Sequence, residues 1–385
     1  MKILYLASSA DFHVELWVKY FKENNKVFLF SDSQNYLQDQ KFQNVELIKS
    51  VGLFGQFLNK LNSKNKKLYQ LNKLLSVKIF SSQIDEVIKK NKINIIHAHS
   101  LYFGYLNYFI KSNIPKIFTP MGSDVIMHAQ DNIIYKHMAR KAFAGSEIIT
   151  NDSSILQKKG FLVGASRKEN YVVQNGVDSN FFYPKKNNLK RRYNLGNKDI
   201  LLFSPRALEP LYNIDIVIKA IKNLTSKNFL IKCIFTYAFG NEYFDKLKKI
   251  SKELNLENNV IWLGFKNYNE MAELYNASDI VISIPNSDSS PKSVYEAMFC
   301  KKPVIVSDLE WSNEFFEREK NILKVNSISP DELSNKILEI ISNPKKTKII
   351  TESAYKIVKK NFDYRFNMRR LEKIMKESIK NSQNP

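Results

Sequence analysis

The loops that would grip a dinucleotide pyrophosphate lack their glycines. After the first strand-like run of each half the chain reads Leu6-Ala7-Ser8-Ser9-Ala10-Asp11-Phe12-His13 and Phe203-Ser204-Pro205-Arg206-Ala207-Leu208-Glu209-Pro210, and neither is a G-x-G-x-x-G. No Walker sequence is present either. Backbone cannot approach a pyrophosphate closely without those glycines, which argues against a nicotinamide dehydrogenase. Cysteine is nearly missing: Cys233 and Cys300 stand in apolar settings, and with five histidines they make no zinc spacing, so both thiols are expected to be buried and structural. No apolar run approaches the roughly 20 residues of a membrane span. Met1-Lys2 leads directly into a strand pattern, so no signal peptide is expected. The expected place is the cytoplasm, with a peripheral position on the inner face of the plasma membrane as the open alternative.

Acid is in short supply. The 38 Asp and Glu against 59 Lys and Arg leave a formal charge of +21, which asks for an anionic partner: nucleic acid, a membrane surface or a phosphorylated small molecule. Nucleic acid ranks lowest, because no helix-turn-helix, RNA-recognition or zinc motif accompanies the charge. In 57–80, Lys60, Lys64, Lys66, Lys67, Lys73 and Lys78 occur without an acidic residue, while Leu68, Leu71, Leu75 and Ile79 recur at helical spacing. This pattern predicts a basic amphipathic helix, either docked on an anionic membrane or carrying a solvated lysine face.

What is present is enough apolar material for two cores, at 44% of 385 residues. Strand patterns fall at 3–7, 27–30, 45–48, 93–97, 116–119, 147–150 and 171–173, with helical patterns between most of them. After Asn175-Gly176-Val177-Asp178 and the polar connection Pro184-Lys185-Lys186-Asn187-Asn188 a second series follows at 200–204, 229–235, 260–263, 280–284, 304–307 and 322–325. The reading is α/β, with two Rossmann-like doubly wound parallel sheets in tandem. The expected domains are 1–180 and 181–361. The final helix, 362–385, has no strand of its own to cover and is expected to return to the first domain.

The densest chemistry lies in Ser287-Asp288-Ser289-Ser290-Pro291-Lys292-Ser293-Val294-Tyr295-Glu296-Ala297-Met298, ahead of Pro303-Val304-Ile305-Val306-Ser307-Asp308. It follows a strand at the carboxyl edge of a parallel sheet, where open α/β folds bind ligands. Ser290 as N-cap and Pro291 at the first helical position would leave N–H groups and the positive helix end facing a phosphate. Glu296 lies less than two turns in, within reach of a hydroxyl on whatever carries that phosphate. The plain alternative is that Ser293-x-x-Glu296 is a capping box. Arg206, at another strand end, offers a guanidinium fork for phosphate oxygens, or a surface ion pair. His97 and His99 fall on one face at a strand's end, either open to a ligand or bonded within the loop. His128 and His137 read as surface helix residues.

Together these residues resemble the retaining glycosyltransferases of family 4, which have the GT-B fold. The likeness spans nearly the whole chain: Ile95-Ile96-His97-Ala98-His99-Ser100, Gly122-Ser123-Asp124, Asn175-Gly176-Val177-Asp178 before Phe182 and Pro184, Arg206, and the run from Asp288 to Asp308. The 287–298 window is most similar to a subgroup reading SDGTP-N-S-x-x-E-A-M. The resemblance implies two domains facing across a cleft and transfer of a hexose from a nucleotide diphosphate sugar, UDP- or GDP-linked. It also implies retained configuration, no metal and no separate cofactor. Arg206 would then hold the donor diphosphate, with Ser289, Ser290, Lys292, Ser293 and Lys266 on the same donor side. Glu296 would accept from the ribose hydroxyls, and Asp288, standing for the first glutamate of E-x(7)-E, would contact the transferred sugar. His13, His97, His99 and Asp124 would border the acceptor.

Three positions depart from the family pattern. The glycine-rich first loop is replaced by Asp11-Phe12-His13, the lysine after the arginine by Tyr212, and a histidine of the first domain by Met121. The expectation is a glycosyltransferase building a surface polysaccharide or glycolipid on a glycan or lipid-linked acceptor, with no nucleic-acid partner. A nucleotide-sugar-binding assembly protein without activity and a GT-B sugar-nucleotide epimerase are the alternatives.

Overall fold

The computed structural model describes residues 1–9, 11–31, 44–49, 76–186, 189–193, 195–196, 198–237 and 240–383. The lysine-rich stretch expected at 57–80 lies outside them up to residue 75; its end enters the helix Val77–Asn91, where Lys78 is exposed. Two units divide the chain, Met1–Gln174 with Asn367–Pro385 and Asn175–Phe366.

The first unit is a seven-stranded sheet of β1 (Lys2–Leu6), β2 (Lys26–Ser31), β3 (Val45–Lys49), β4 (Ile95–His99), β5 (Lys116–Thr119), β6 (Ile148–Asn151) and β7 (Asn170–Val172). Its order is β3-β2-β1-β4-β5-β6-β7, parallel throughout. Ile3, Leu4, Tyr5 and Leu6 are all fully buried, as a strand covered by helices on both faces requires. The order reverses between β1 and β4, so the loops after these two strands open the crevice where such sheets take ligands.

The second unit repeats the plan with β8 (Ile200–Ser204), β9 (Ile231–Thr236), β10 (Val260–Leu263), β11 (Ile280–Ser283), β12 (Val304–Ser307) and β13 (Leu323–Val325), in the order β10-β9-β8-β11-β12-β13. Its strands are likewise parallel. The helix Ile214–Thr225 buries Ile214, Val217, Ile218, Ile221 and Leu224, a 3.6-residue stripe against the sheet. The order reverses between β8 and β11, the two strands that carry Arg206 and the 287–298 window on their ends.

One register differs from expectation. Strand β4 runs to His99 rather than His97, because residues 92–94 are spent ending the preceding helix: Ile93 N bonds Ile88 O, and Asn94 receives Lys2 N on its Oδ1 at 2.7 Å. The two histidines are therefore inside a central strand.

Residues 175–178 close the second unit upon itself. Val177 N donates to Phe362 O at 2.8 Å and Tyr364 N to Val177 O at 3.1 Å. Gly176 has φ +74°, and a Cβ there would lie 2.6 Å from the Tyr364 Cα. Only glycine fits. The last helix, Tyr364–Gln383, begins here and packs from Asn367 onward in the first unit. There Met368, Leu371 and Met375 are fully buried, Arg370 Nη1 donates to Val172 O at 2.9 Å, and Tyr20 OH to Glu372 at 3.2 Å.

Candidate active site

The carboxyl ends of β8 and β11 bring three side chains into one bonded cluster. Arg206 Nη2 meets Asp288 Oδ2 at 2.8 Å, and its Nη1 donates to Ser293 Oγ at 3.2 Å. The guanidinium carbon lies 4.3 Å from the centre of the Tyr212 ring. Tyr212, where the family pattern has a lysine, thus supplies a face that holds the arginine plane rather than a second charge. Asn213, at φ +53°, ties the two loops together: its Nδ2 donates to Ile284 O at 2.8 Å, and Asn286 N bonds Leu211 O at 2.9 Å.

Asp288 is engaged at both oxygens. While Oδ2 faces Arg206, Oδ1 accepts Ser289 N at 2.8 Å and Ser290 N at 3.3 Å. This turn corrects the expected helix start. Pro291, not Ser290, is the N-cap, no side chain caps the helix, and it runs Lys292–Phe299. The capping-box alternative fails as well, because Ser293 is taken by Arg206 and Glu296 by Tyr275, whose OH donates to Glu296 Oε2 at 2.8 Å.

Glu296 is 7% exposed. Burial raises its pKa above the ordinary carboxylate value, against the lowering effects of Lys292 one turn earlier and of the Tyr275 bond. Tyr275 is itself fully buried, edge-on to Phe203 at 5.1 Å and Phe182 at 5.8 Å, and its phenol is held well above its ordinary pKa by burial and by Glu296. Sequence reasoning passed over Tyr275 because at its helix position an aromatic reads as core. Lys292 Nζ lies 3.4 Å from Tyr268 OH, joining the connection after β10 to the cluster. Lys266, on that connection, pairs with Glu270 at 3.2 Å. Also unforeseen is the ion group beyond β12, where Asp308 receives Arg318 Nη2 at 2.6 Å and the buried Lys324 Nζ at 3.2 Å.

In the first unit the histidines are enclosed, not open at a strand end. His97 is 0% and His99 2% exposed. Their rings lie 4.3 Å apart, with Trp17 at 4.8 and 4.5 Å and Tyr5 at 5.2 and 5.8 Å. A central strand covered by the helix Phe12–Phe21 leaves them no other surroundings. His97 Nε2 meets Thr119 Oγ1 at 2.7 Å, which meets Thr150 Oγ1 at 2.5 Å, whereas His97 Nδ1 and His99 Nε2 have no hydrogen-bond partner among the described residues. Burial keeps both rings neutral, with the His99 pKa lowered to about 3 and that of His97 well down, the latter also through its histidine neighbour.

Asp124 opens a π-helical turn, Asp124–His128, and its Oδ2 accepts Leu101 N at 2.8 Å, capping the helix Ser100–Phe109 that leaves β4 through Ser100 at φ +67°. It is half-buried between the ends of β4 and β5. Met121 contributes its carbonyl to Asp124 N at 3.2 Å. The His13 side chain lies outside the described residues. His128 and His137 are exposed on helical segments.

The model of the "Glycosyl transferases group 1" family matches residues 185–357, and that of "Glycosyl transferase 4-like" matches 2–153. The first spans β8 to β13 and the second β1 to β6. The chain is classed with the GT-B glycosyltransferases. Its relatives include an uncharacterised glycosyltransferase of Methanocaldococcus jannaschii, 26% identical over 277 residues, which cover 71% of this chain and 73% of that one. Another is the Escherichia coli UDP-Gal:α-D-GlcNAc-diphosphoundecaprenol α-1,3-galactosyltransferase, 23% identical over 71% of this chain and 75% of that one. Among solved structures, Anabaena HepE in complex with UDP superposes with a TM-score of 0.79 at 19% identity, covering 98% of this chain and 100% of that one. In this GT-B chain the bonded cluster of Arg206, Asp288 and Ser293 falls within the group 1 match, and the His97, Thr119 and Asp124 neighbourhood within the 4-like match.

Proposed function

We propose that the chain moves a hexosyl group from a nucleotide diphosphate sugar to a glycan or lipid-linked acceptor, with retained configuration and without a metal or separate cofactor. The observation that carries this reading is the pair of adjoining groups at the β8/β11 switch point: Arg206 stacked on Tyr212 and bonded to Ser293, and the buried Glu296 presented by Tyr275 one turn along the same helix. A guanidinium beside helix-start N–H groups answers a diphosphate, and a buried carboxylate with one oxygen fixed answers a vicinal diol. The E. coli relative is a UDP-Gal-dependent transferase by name and HepE was solved with UDP, which favours UDP over GDP as the donor nucleotide.

In the reaction the bond from the sugar C1 to the diphosphate oxygen breaks, and a bond from the acceptor oxygen to C1 forms on the same face. The acceptor proton passes to the departing phosphate. Arg206, Lys292 and Ser293 stabilise the charge that gathers on that phosphate, and Glu296 holds the ribose. Asp124 and the β4/β5 end would border the acceptor. A surface polysaccharide or glycolipid is the product class.

The test incubates the purified chain with a panel of UDP- and GDP-sugars. Slow release of nucleoside diphosphate is expected, falling by about 10² to 10³ in Arg206→Ala, the loss of one charge-assisted contact to a leaving group. Donor bound and returned unchanged would make the chain a binding protein, and a donor whose sugar is converted without release would make it an epimerase.

A further inference from the structure

We propose that the first unit docks on an anionic lipid bilayer through the helical corner at 127–140, with Ile133 and Ile134 entering the boundary between headgroups and acyl chains. Ile133 is 84% exposed, Ile134 57% and Met127 39%. Scattered apolar side chains are ordinary on a surface, but adjacent isoleucines at the apex of a corner are not. The apex is fixed from within: Asn132 caps the helix Ile133–Ala144 by accepting Ile134 N at 2.9 Å and Tyr135 N at 3.2 Å, and His128 lies against the Tyr135 ring at 5.1 Å. The far side of that helix is committed to the core through Ala139, Ala142 and Phe143. Its orientation leaves the isoleucines outward.

The charge around the apex selects the partner. Asp131 and Glu147 bound a stretch with no acidic residue, and on the helix that carries the isoleucines Lys136 is partly exposed and Arg140 exposed. Lys141 is spent on Tyr108 OH, at 2.9 Å, and is not counted. Two isoleucines and a methionine cover far less than the roughly 1,000 Å² that a stable protein interface buries. A bilayer asks for less, namely an apolar wedge with cations at phosphate height. The same connection carries Asp124 at its start, so docking here would bring the ends of β4 and β5 to the lipid surface. That consequence, not the docking itself, rests on the glycosyltransfer reading.

The full chain is sedimented with vesicles of phosphatidylcholine, with and without phosphatidylglycerol, at low and high salt. Binding is expected only to the anionic vesicles and is weakened by salt. The double variant Ile133→Ser with Ile134→Ser should bind about tenfold or more weakly, while UDP-sugar turnover in solution stays at the wild-type rate. A second arm needs no loss of function. Cys233 and Cys300 are buried, and burial pushes the Cys300 thiol up to about 12, so Ile133→Cys offers the accessible thiol for a polarity-sensitive fluorophore. Its emission should shift to the blue on anionic vesicles. A wild-type chain that ignores anionic vesicles at low salt overturns the proposal, and so does serine-variant binding equal to wild type or a label that stays in water on bound protein. None of these outcomes touches nucleoside diphosphate release, on which the glycosyltransfer reading is tested.

Discussion

At the residue scale, the carboxylate of Asp288 does two jobs that its place in the family pattern would not suggest. One oxygen holds Arg206, with the two side chains 14% and 12% exposed, and the other closes the turn at Ser289 and Ser290. Groups that act as one unit do not lose activity additively. Asp288→Ala is therefore expected to approach the loss expected of Arg206→Ala, and the double variant to fall little below the worse single one. Rates that multiply would separate the two residues, and a changed sugar preference in Asp288→Ala would restore the sugar contact.

Tyr275 makes the second residue-scale prediction. Its hydrogen bond lowers the Glu296 pKa against the burial that raises it, and Lys292 works in the same direction. In Tyr275→Phe the carboxyl must rise further, so Glu296 takes up a proton at a higher pH and the acidic limb of donor affinity moves up the pH scale. Losing a hydrogen bond to a charged group costs about 1.5–3 kcal/mol. Nucleotide titration across pH checks it, and an unmoved acidic limb would leave Tyr275 with a packing role alone.

At the scale of elements, β4 shows where the sequence is legible and where it is not. Its apolar run marks a central strand, and the flanking runs of β1 and β5 mark its neighbours. Its end, however, depends on how many residues the preceding helix spends on its C-terminal turn, and that is a tertiary matter of Asn94 meeting Lys2. Two residues decide whether histidines face a ligand or Trp17. The cap of the helix Lys292–Phe299 is a similar case. Ser-Pro is a good helix start by propensity, but the carboxylate of Asp288 competes for the Ser290 N–H and moves the start onward.

The enclosed histidines make the element's own prediction. An unfolded chain protonates both rings near the ordinary value of 6.5, whereas in the folded protein His99 resists to about 3 and His97 is also held well down. The unfolded state thus binds more protons, so stability is full above about pH 6.5 and is lost as pH falls. Each ring contributes about 1.4 kcal/mol per pH unit while that window lasts. Urea unfolding of the first unit at a series of pH values should show this slope. It should be shallower in His99→Phe, and an equal slope would place the proton uptake elsewhere.

For the whole molecule, alternation of strand and helix patterns was enough to read two doubly wound sheets, since short β-branched runs such as Ile280-Val281-Ile282, bounded by polar residues, fit strands buried on both faces better than helices. Arg206 and Glu296 were legible as a pair because strand ends in such sheets converge on a switch point. Tyr275, Lys324 and the stacking of Tyr212 were not. Each looks like core or surface until its partner's position is known.

The last helix links the units by chain, and its apolar side belongs to the first. Leu371→Ala is expected to destabilise the first unit by about 2–4 kcal/mol, the usual cost of a deleted core leucine. Nucleotide affinity, which the proposed donor site assigns to the second unit, should persist. Thermal or urea unfolding followed beside UDP binding separates the two effects, and a joint loss would mean that the units do not unfold independently.

The same helix sets an order of birth. Met368, Leu371 and Met375 complete a core whose strands were synthesised first, yet they leave the ribosome only after the entire second unit. Domains ordinarily fold from the N-terminus as they emerge. Here the earlier-made sheet must wait, with an uncovered apolar stripe, for a segment made some two hundred residues later, while the later-made sheet can close first. The nascent chain is therefore most exposed to aggregation and to chaperone capture through its oldest part.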